Sequence, residues 1–189
     1  MDDASTHLAA QSAELAVAVT PGNVTEFHQQ IIQVADILRT AFDRGHVAYV
    51  AGNGGSAAEA FHLSDEMLGR YKNSPRAPLP VVNLAADGAV LTCISNDFGF
   101  EQVFSRQIEA VGKEGDVFIG LSTSGESKNI LRAIDQAKTN GMTVITLTGP
   151  TGTMREQADY AIVAPTDKPP RMQELHLHAI HLLCELLEV

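Results

Sequence analysis

Five short apolar runs, HVAYVAG, LPVVNL, DVFIGLS, MTVITLTG and ADYAIVAP, recur between His46 and Pro165. Each has the length of a strand and lacks the strict polar alternation of a sheet with one wet face. The segments between them read as helical: the Phe61 to Leu68 region, a polar stretch through Phe104 to Val111, and a helix from roughly Ser127 to Thr139 with Gly141 at its stop. An apolar helix, QELHLHAIHLLCELLE, closes the chain. Strands apolar throughout and alternating with helices call for a parallel sheet covered on both faces. The expected fold is α/β, a three-layer doubly wound five-stranded parallel sheet.

Two helices precede the first strand. The first 20 residues have helix-favouring composition and end at Pro21-Gly22. Asn23 then stands as an N-cap with Glu26 in capping-box position. The run VTEFHQQIIQVADILRTAFDRG follows, with Phe27, Ile31, Ile32, Val34, Ile37, Leu38 and Phe42 near helical spacing. This segment, residues 1–45, packs on the core or on a neighbouring subunit. NSPRAPLP and APTDKPP are too short to separate domains and read as loops, so residues 1–189 form one domain.

A chain of 189 residues with 44% hydrophobic residues and no tryptophan fits a single buried core. The net charge of -10 argues against nucleic-acid binding, which needs concentrated basic surface. It leaves room for a small anionic substrate gripped inside a cleft. Cys93 and Cys184 form no C-x-x-C pair, which fits a reducing compartment. MDDASTHLAAQSAELAVAV lacks a basic n-region, and no apolar run approaches a membrane span. The expectation is a cytoplasmic protein without a membrane partner.

In a parallel sheet the turns after strands gather at one edge, where doubly wound folds bind ligands. That edge receives GNGGSAA after the first strand and STSGES after the third. Glycines let backbone approach an anion, hydroxyls and amides add neutral donors, and each following helix offers its positive end. Singly, each is an ordinary turn or cap. Together, at two strand-to-helix junctions, they point to a phosphate. Neither matches G-x-G-x-x-G or a P-loop.

His62 and Glu66 lie one turn apart on one helix face; the bland reading is a surface pair. Gln173 and His181 lie on or near the last helix, with His181 about 80° round and ~12 Å further along. His178 points away, to structure or solvent, and His176 is intermediate and unassigned. Beside a sugar phosphate, a carboxylate can move a proton between adjacent carbons and a histidine can serve the oxygens. A divalent metal held by His, Glu and Gln would polarise the carbonyl. Spacing alone does not select this chemistry.

GNGGS, HLSDEMLGRY, SNDFGFEQVFSRQIEAVGKEGDV, STSGES, GMTVITLTG and RMQELHLHAIH together resemble the phosphoheptose isomerases of the SIS (sugar isomerase) family. The similarity runs in order from about residue 24 to the C-terminus. It implies the SIS fold and a homotetramer with active sites between subunits. The implied reaction converts D-sedoheptulose 7-phosphate to D-glycero-D-manno-heptose 7-phosphate, the first step toward nucleotide-activated heptoses for lipopolysaccharide. Carried over by motif, Asn53, Gly54, Gly55, Asn96, Asp97 and Gln173 contact substrate, and Ser122, Thr123, Ser124 and Ser127 hold the phosphate. Glu66, also in contact with substrate, is the base and His181 the partner acid/base. Zinc is the implied cofactor, with His62, Glu66, Gln173 and His181 as ligands.

Two departures stand out against that resemblance. Ala57 and Ala58 follow GNGGS where relatives often carry a polar residue. Glu126 replaces a usual asparagine; a carboxylate aimed at the phosphate would repel it, so Glu126 is expected to face solvent. The resemblance also admits a non-catalytic SIS regulator that binds the replication initiator, or an isomerase of another sugar phosphate. Arg70, within GRY, is the cation with a structural or substrate-side role, while Lys72 and Arg76 read as solvated.

Overall fold

In a computed structural model, residues 2–72 and 76–188 are described. The first three residues of NSPRAPLP lie outside them. Two helices open the chain, α1 (Asp2–Ala18) and α2 (Pro21–Asp43), and strands and helices then alternate. The order is β1 (Ala48–Gly52), α3 (Gly55–Leu68), β2 (Val81–Asn83), α4 (Gly88–Phe98), α5 (Ser105–Val111), β3 (Val117–Ser122) and α6 (Lys128–Thr139). It continues through β4 (Thr143–Thr148), α7 (Thr153–Gln157), β5 (Tyr160–Val163) and α8 (Pro169–Leu187), with a single 3₁₀ turn at Phe100–Gln102.

The five strands form one sheet in the order β2-β1-β3-β4-β5, every neighbouring pair parallel. All five expected strands are present, and β1 and β3 are buried along their whole length, which explains their unbroken apolar sequence. One core lies between the sheet and α2, α3 and α8, built on Phe27, Ile31, Leu63, Ile119 and Leu183. The other lies between the sheet and α4 to α7, built on Phe104, Ile108, Phe118 and Ile134. The strand order reverses between β1 and β3, the place where a doubly wound sheet opens a crevice at its carboxyl edge.

The N-terminal boundary differs from expectation. Helix α2 starts at Pro21, whose fixed φ suits a first turn, so Asn23 lies inside the helix. Its side-chain amide donates to the Val17 carbonyl, and Glu26 accepts from Gln30 instead of closing a capping box. Helix α2 packs on the core through Val24, Phe27, Ile31, Val34 and Leu38. Helix α1 is mostly exposed, with Leu8 at 66% and Val17 at 60%. Among the described residues, no helix is long and apolar enough to cross a membrane.

Candidate active site

The loops after β1 and β3 flank the crevice and are clasped together. Asn53 Nδ2 donates to Asn129 Oδ1, and Asn129 Nδ2 donates back to Asn53 Oδ1, both at 2.8 Å. The reciprocal amide pair joins the glycine loop to the first turn of α6. Asn129 is buried and was not singled out in the sequence, although it stands two residues past Ser127. A polar residue on the buried face of a helix was the only signal for it.

Ser127 occupies the N-cap of α6 yet makes no side-chain capping bond. Its hydroxyl lies 2.9 Å from that of Ser122, which is 3.2 Å from that of Ser124. Three hydroxyls thus cluster at the positive end of a helix, the environment a phosphate monoester requires. Thr123 is half-buried between them. Gly125 takes φ +65, and a Cβ there would meet the Thr151 carbonyl at 2.8 Å, so the loop stacks directly on the turn before α7. Glu126 is exposed, as expected, and its carboxylate is not idle. It accepts from the Thr153 amide at 2.7 Å and from the Thr153 hydroxyl, so its charge is engaged at the start of α7.

From this rim α3 and α8 run side by side in the same direction, joined by successive polar contacts. At the rim end a Cβ on Gly55 would fall 2.2 Å from Gln173 Nε2, so the glutamine amide lies against bare backbone. Next, Glu59 approaches His176 at 3.6 Å. Then His62 Nε2 meets His181 Nε2 at 2.9 Å, with Glu66 Oε1 at 3.4 Å from His62 Nε2. Beyond them, Tyr71 donates to Glu185 at 3.1 Å and Lys72 pairs with the same carboxylate. Side chains on α3 lean toward its N-terminus, which turns His62 and Glu66 back toward the glycine loop.

Burial shapes the surroundings of this cluster. Cys184 is buried, and burial together with the nearby Glu66 carboxylate pushes its thiol up to about 12, which removes it as a nucleophile or thiolate ligand at neutral pH. Burial also raises the Tyr71 phenol, with Glu185 adding to it. The Tyr71 ring stacks on His181 at 5.8 Å. His178 is exposed, as the helical wheel requires, and its imidazole is held below the usual range by partial desolvation and then by His28 and His181.

His62, Glu66 and His181 present ligand atoms that all lie within 4.8 Å of one another. Two imidazole nitrogens and a carboxylate converging on one point form a donor set that fits zinc. Gln173 places its amide against Gly55, at the rim end of α3. It lies eight residues before His181 on a continuous helix, a rise of ~12 Å. Asn96 and Asp97 are exposed on α4, and Asn96 donates to Asp97 at 2.7 Å. Among the described residues neither is tied to the two loops.

One basic residue differs from expectation. Arg76 donates to the Glu66 and Met67 carbonyls at 2.5 and 2.9 Å and so closes the end of α3. Lys72 is held by Glu185. Arg70 donates to the Lys72 carbonyl. The solvated reading fails for Arg76, which is half-buried against the carbonyls ending α3, and holds for Lys72, which stays exposed beside Glu185.

Residues 16–149 match the family described as SIS domain. The phosphoheptose isomerase of Aquifex aeolicus is 43% identical over 94% of this chain and 91% of its own length. A solved phosphoheptose isomerase from Francisella tularensis superposes with a TM-score of 0.89 at 30% identity, covering 98% of this chain and 97% of that one. Another, from Neisseria gonorrhoeae, gives 0.87 at 34% identity, with 97% of each chain covered. These likenesses favour neither the regulator nor the isomerase of another sugar.

Proposed function

The chain belongs to the SIS domain family, among its phosphoheptose isomerases, and from that premise we propose that it interconverts D-sedoheptulose 7-phosphate and D-glycero-D-manno-heptose 7-phosphate. The observation that carries this reading is the meeting of Glu66, His62 and His181 on two helices that begin at a hydroxyl-lined rim. The phosphoryl group is held by Ser122, Thr123, Ser124 and Ser127. Asn53, Gly54 and Gly55 line the other side. The C1–C2 end then reaches toward His62, which lies roughly 10 Å along α3 from Gly55.

In the ketose, Glu66 takes the proton from C1 while His181 gives one to the C2 oxygen, leaving a neutral enediol. In the second half His181 recovers a proton from the C1 oxygen as the C1 carbonyl forms, and Glu66 returns its proton to C2. No net charge is gained or lost. His62, Glu66 and His181 would hold zinc, which supplies charge stabilisation at the carbonyl. A carboxylate has two oxygens and an imidazole two nitrogens, so Glu66 and His181 can each face a cation with one atom and the sugar with the other.

The remaining parts of the reading concern assembly. Gln173 stands ~12 Å from His181 along α8, so as a ligand it would come from a second copy. Asn96 and Asp97 sit beside Phe98 at 47% and Phe100 at 57% exposure, an apolar surface suited to cover by a neighbouring subunit. A homotetramer with shared sites accounts for both. The proposed setting is the cytoplasm and the pathway the one leading to lipopolysaccharide heptose.

Turnover of sedoheptulose 7-phosphate, followed by appearance of the aldose, tests the function. Glu66→Gln and His181→Gln should each lower kcat by about 10² to 10⁴, the range for a removed acid or base. Undiminished turnover in either variant reassigns its role, and no turnover in the parent protein ends the reading.

A further inference from the structure

One to two turns back along the helices from the proposed acid and base lies a pair of titratable side chains that the mechanism does not use. Glu59 is 7% exposed and His176 0%. His176 Nε2 lies 3.3 Å from the Thr148 carbonyl oxygen, and its Nδ1 lies 3.6 Å from Glu59 Oε2. A carbonyl only accepts, so Nε2 carries the hydrogen aimed at Thr148. Nδ1 then faces a carboxylate oxygen, and the contact is favourable only with a proton between the two. Neither Nδ1 nor Oε2 is hydrogen-bonded elsewhere.

Such a pair is an expensive way to fill a core. Apolar side chains of similar volume commonly give equal or better stability than a buried ion pair. Its value therefore lies in what it fixes. Glu59 sits on α3 three residues before His62, and His176 sits on α8 five residues before His181. Thr148 ends β4, and a Cβ on Gly125 of the serine loop would lie 3.1 Å from its hydroxyl. One imidazole thus reaches both helices and the strand that backs the phosphate loop.

We propose that Glu59 and His176 are positioning residues, a buried brace that sets α8 against α3 and so fixes the spacing between His181 and the His62–Glu66 pair. This rests on the isomerase reading of the same site. Neither residue touches substrate; each acts through the groups carried one to two turns further along its own helix.

The test uses the full chain with Glu59→Gln, His176→Gln and the double variant. Four quantities are measured: kcat, KM, zinc affinity by titration in a metal buffer, and the melting temperature. Each single variant should lose at least tenfold in kcat and bind zinc at least tenfold more weakly, with KM within threefold because the rim is untouched. The double variant should be no worse than the weaker single one, since either change breaks the same contact. A lower melting temperature with kcat and zinc affinity within twofold of the parent would overturn the proposal, and so would additive losses in the double variant. Should His176→Gln not fold, the near-isosteric Glu59→Gln decides by the same criteria. A parent protein without turnover sinks the isomerase reading alone, because zinc affinity still judges the brace.

Discussion

At the rim of the sheet, Ser122 and Ser127 share a hydrogen bond although only 5 residues apart, and the glutamate between them accepts from Thr153 at the start of α7. Along the α3–α8 seam, His62 and His181 meet across 119 residues and Tyr71 and Glu185 across 114. The rim is made of neutral amides and hydroxyls whose shape comes from turn and cap chemistry. The seam is made of imidazoles and carboxylates that come into contact only when two helices dock. An anion needs preset donors and little else, whereas proton transfer needs titratable groups at controlled spacing. The first can be written into one loop; the second has to be assembled.

The contrast breaks first at Gly55, where rim and seam touch. Gly55→Ala places a methyl group 2.2 Å from the current position of Gln173 Nε2. The displaced atoms end a flexible side chain, so the melting temperature should hold while kcat/KM falls about 100-fold, the scale of a 1 Å misplacement. An unchanged kcat/KM would mean that the glutamine amide has no part in the reaction. Ser127→Ala sharpens the comparison from the rim side. Loss of a hydrogen bond to a charged group, about 1.5–3 kcal/mol, should raise KM roughly 10- to 100-fold and leave kcat in place. A fall in kcat alone would show that the hydroxyls serve chemistry as well as grip. Glu126→Gln should do least: a loss of about 1 kcal/mol or less in stability from the weakened contact at Thr153, read by denaturant titration, and KM within threefold. A gain in substrate affinity above tenfold would show that the carboxylate turns inward.

The same contrast explains what was legible in the sequence. Five strands, the serine loop and the glycine loop are visible because apolar runs and turn residues act locally. The solvent-facing side of Glu126 followed from simple repulsion, and the position of His178 from helical geometry. The start of α2 was misplaced because Pro21 serves as a first helical residue as readily as a breaker. Asn129 and Glu59 went unread, and His176 stayed unassigned, because burial of a polar side chain depends on what packs over it. Arg76 looked solvated for the same reason: its partners are the carbonyls that end α3.

The contacts Gly55–Gln173, Glu59–His176 and His62–His181 belong to one pair of helices running the same way, and Tyr71–Glu185 continues the line just past the end of α3. A slip of α8 by a single turn, about 5.4 Å, would part all four at once. A rigid slide of α8 therefore cannot keep some of them and lose the rest. Warming the protein should therefore extinguish catalysis in a single step together with the helix pair, with no range of temperature over which an intact fold works at reduced capacity.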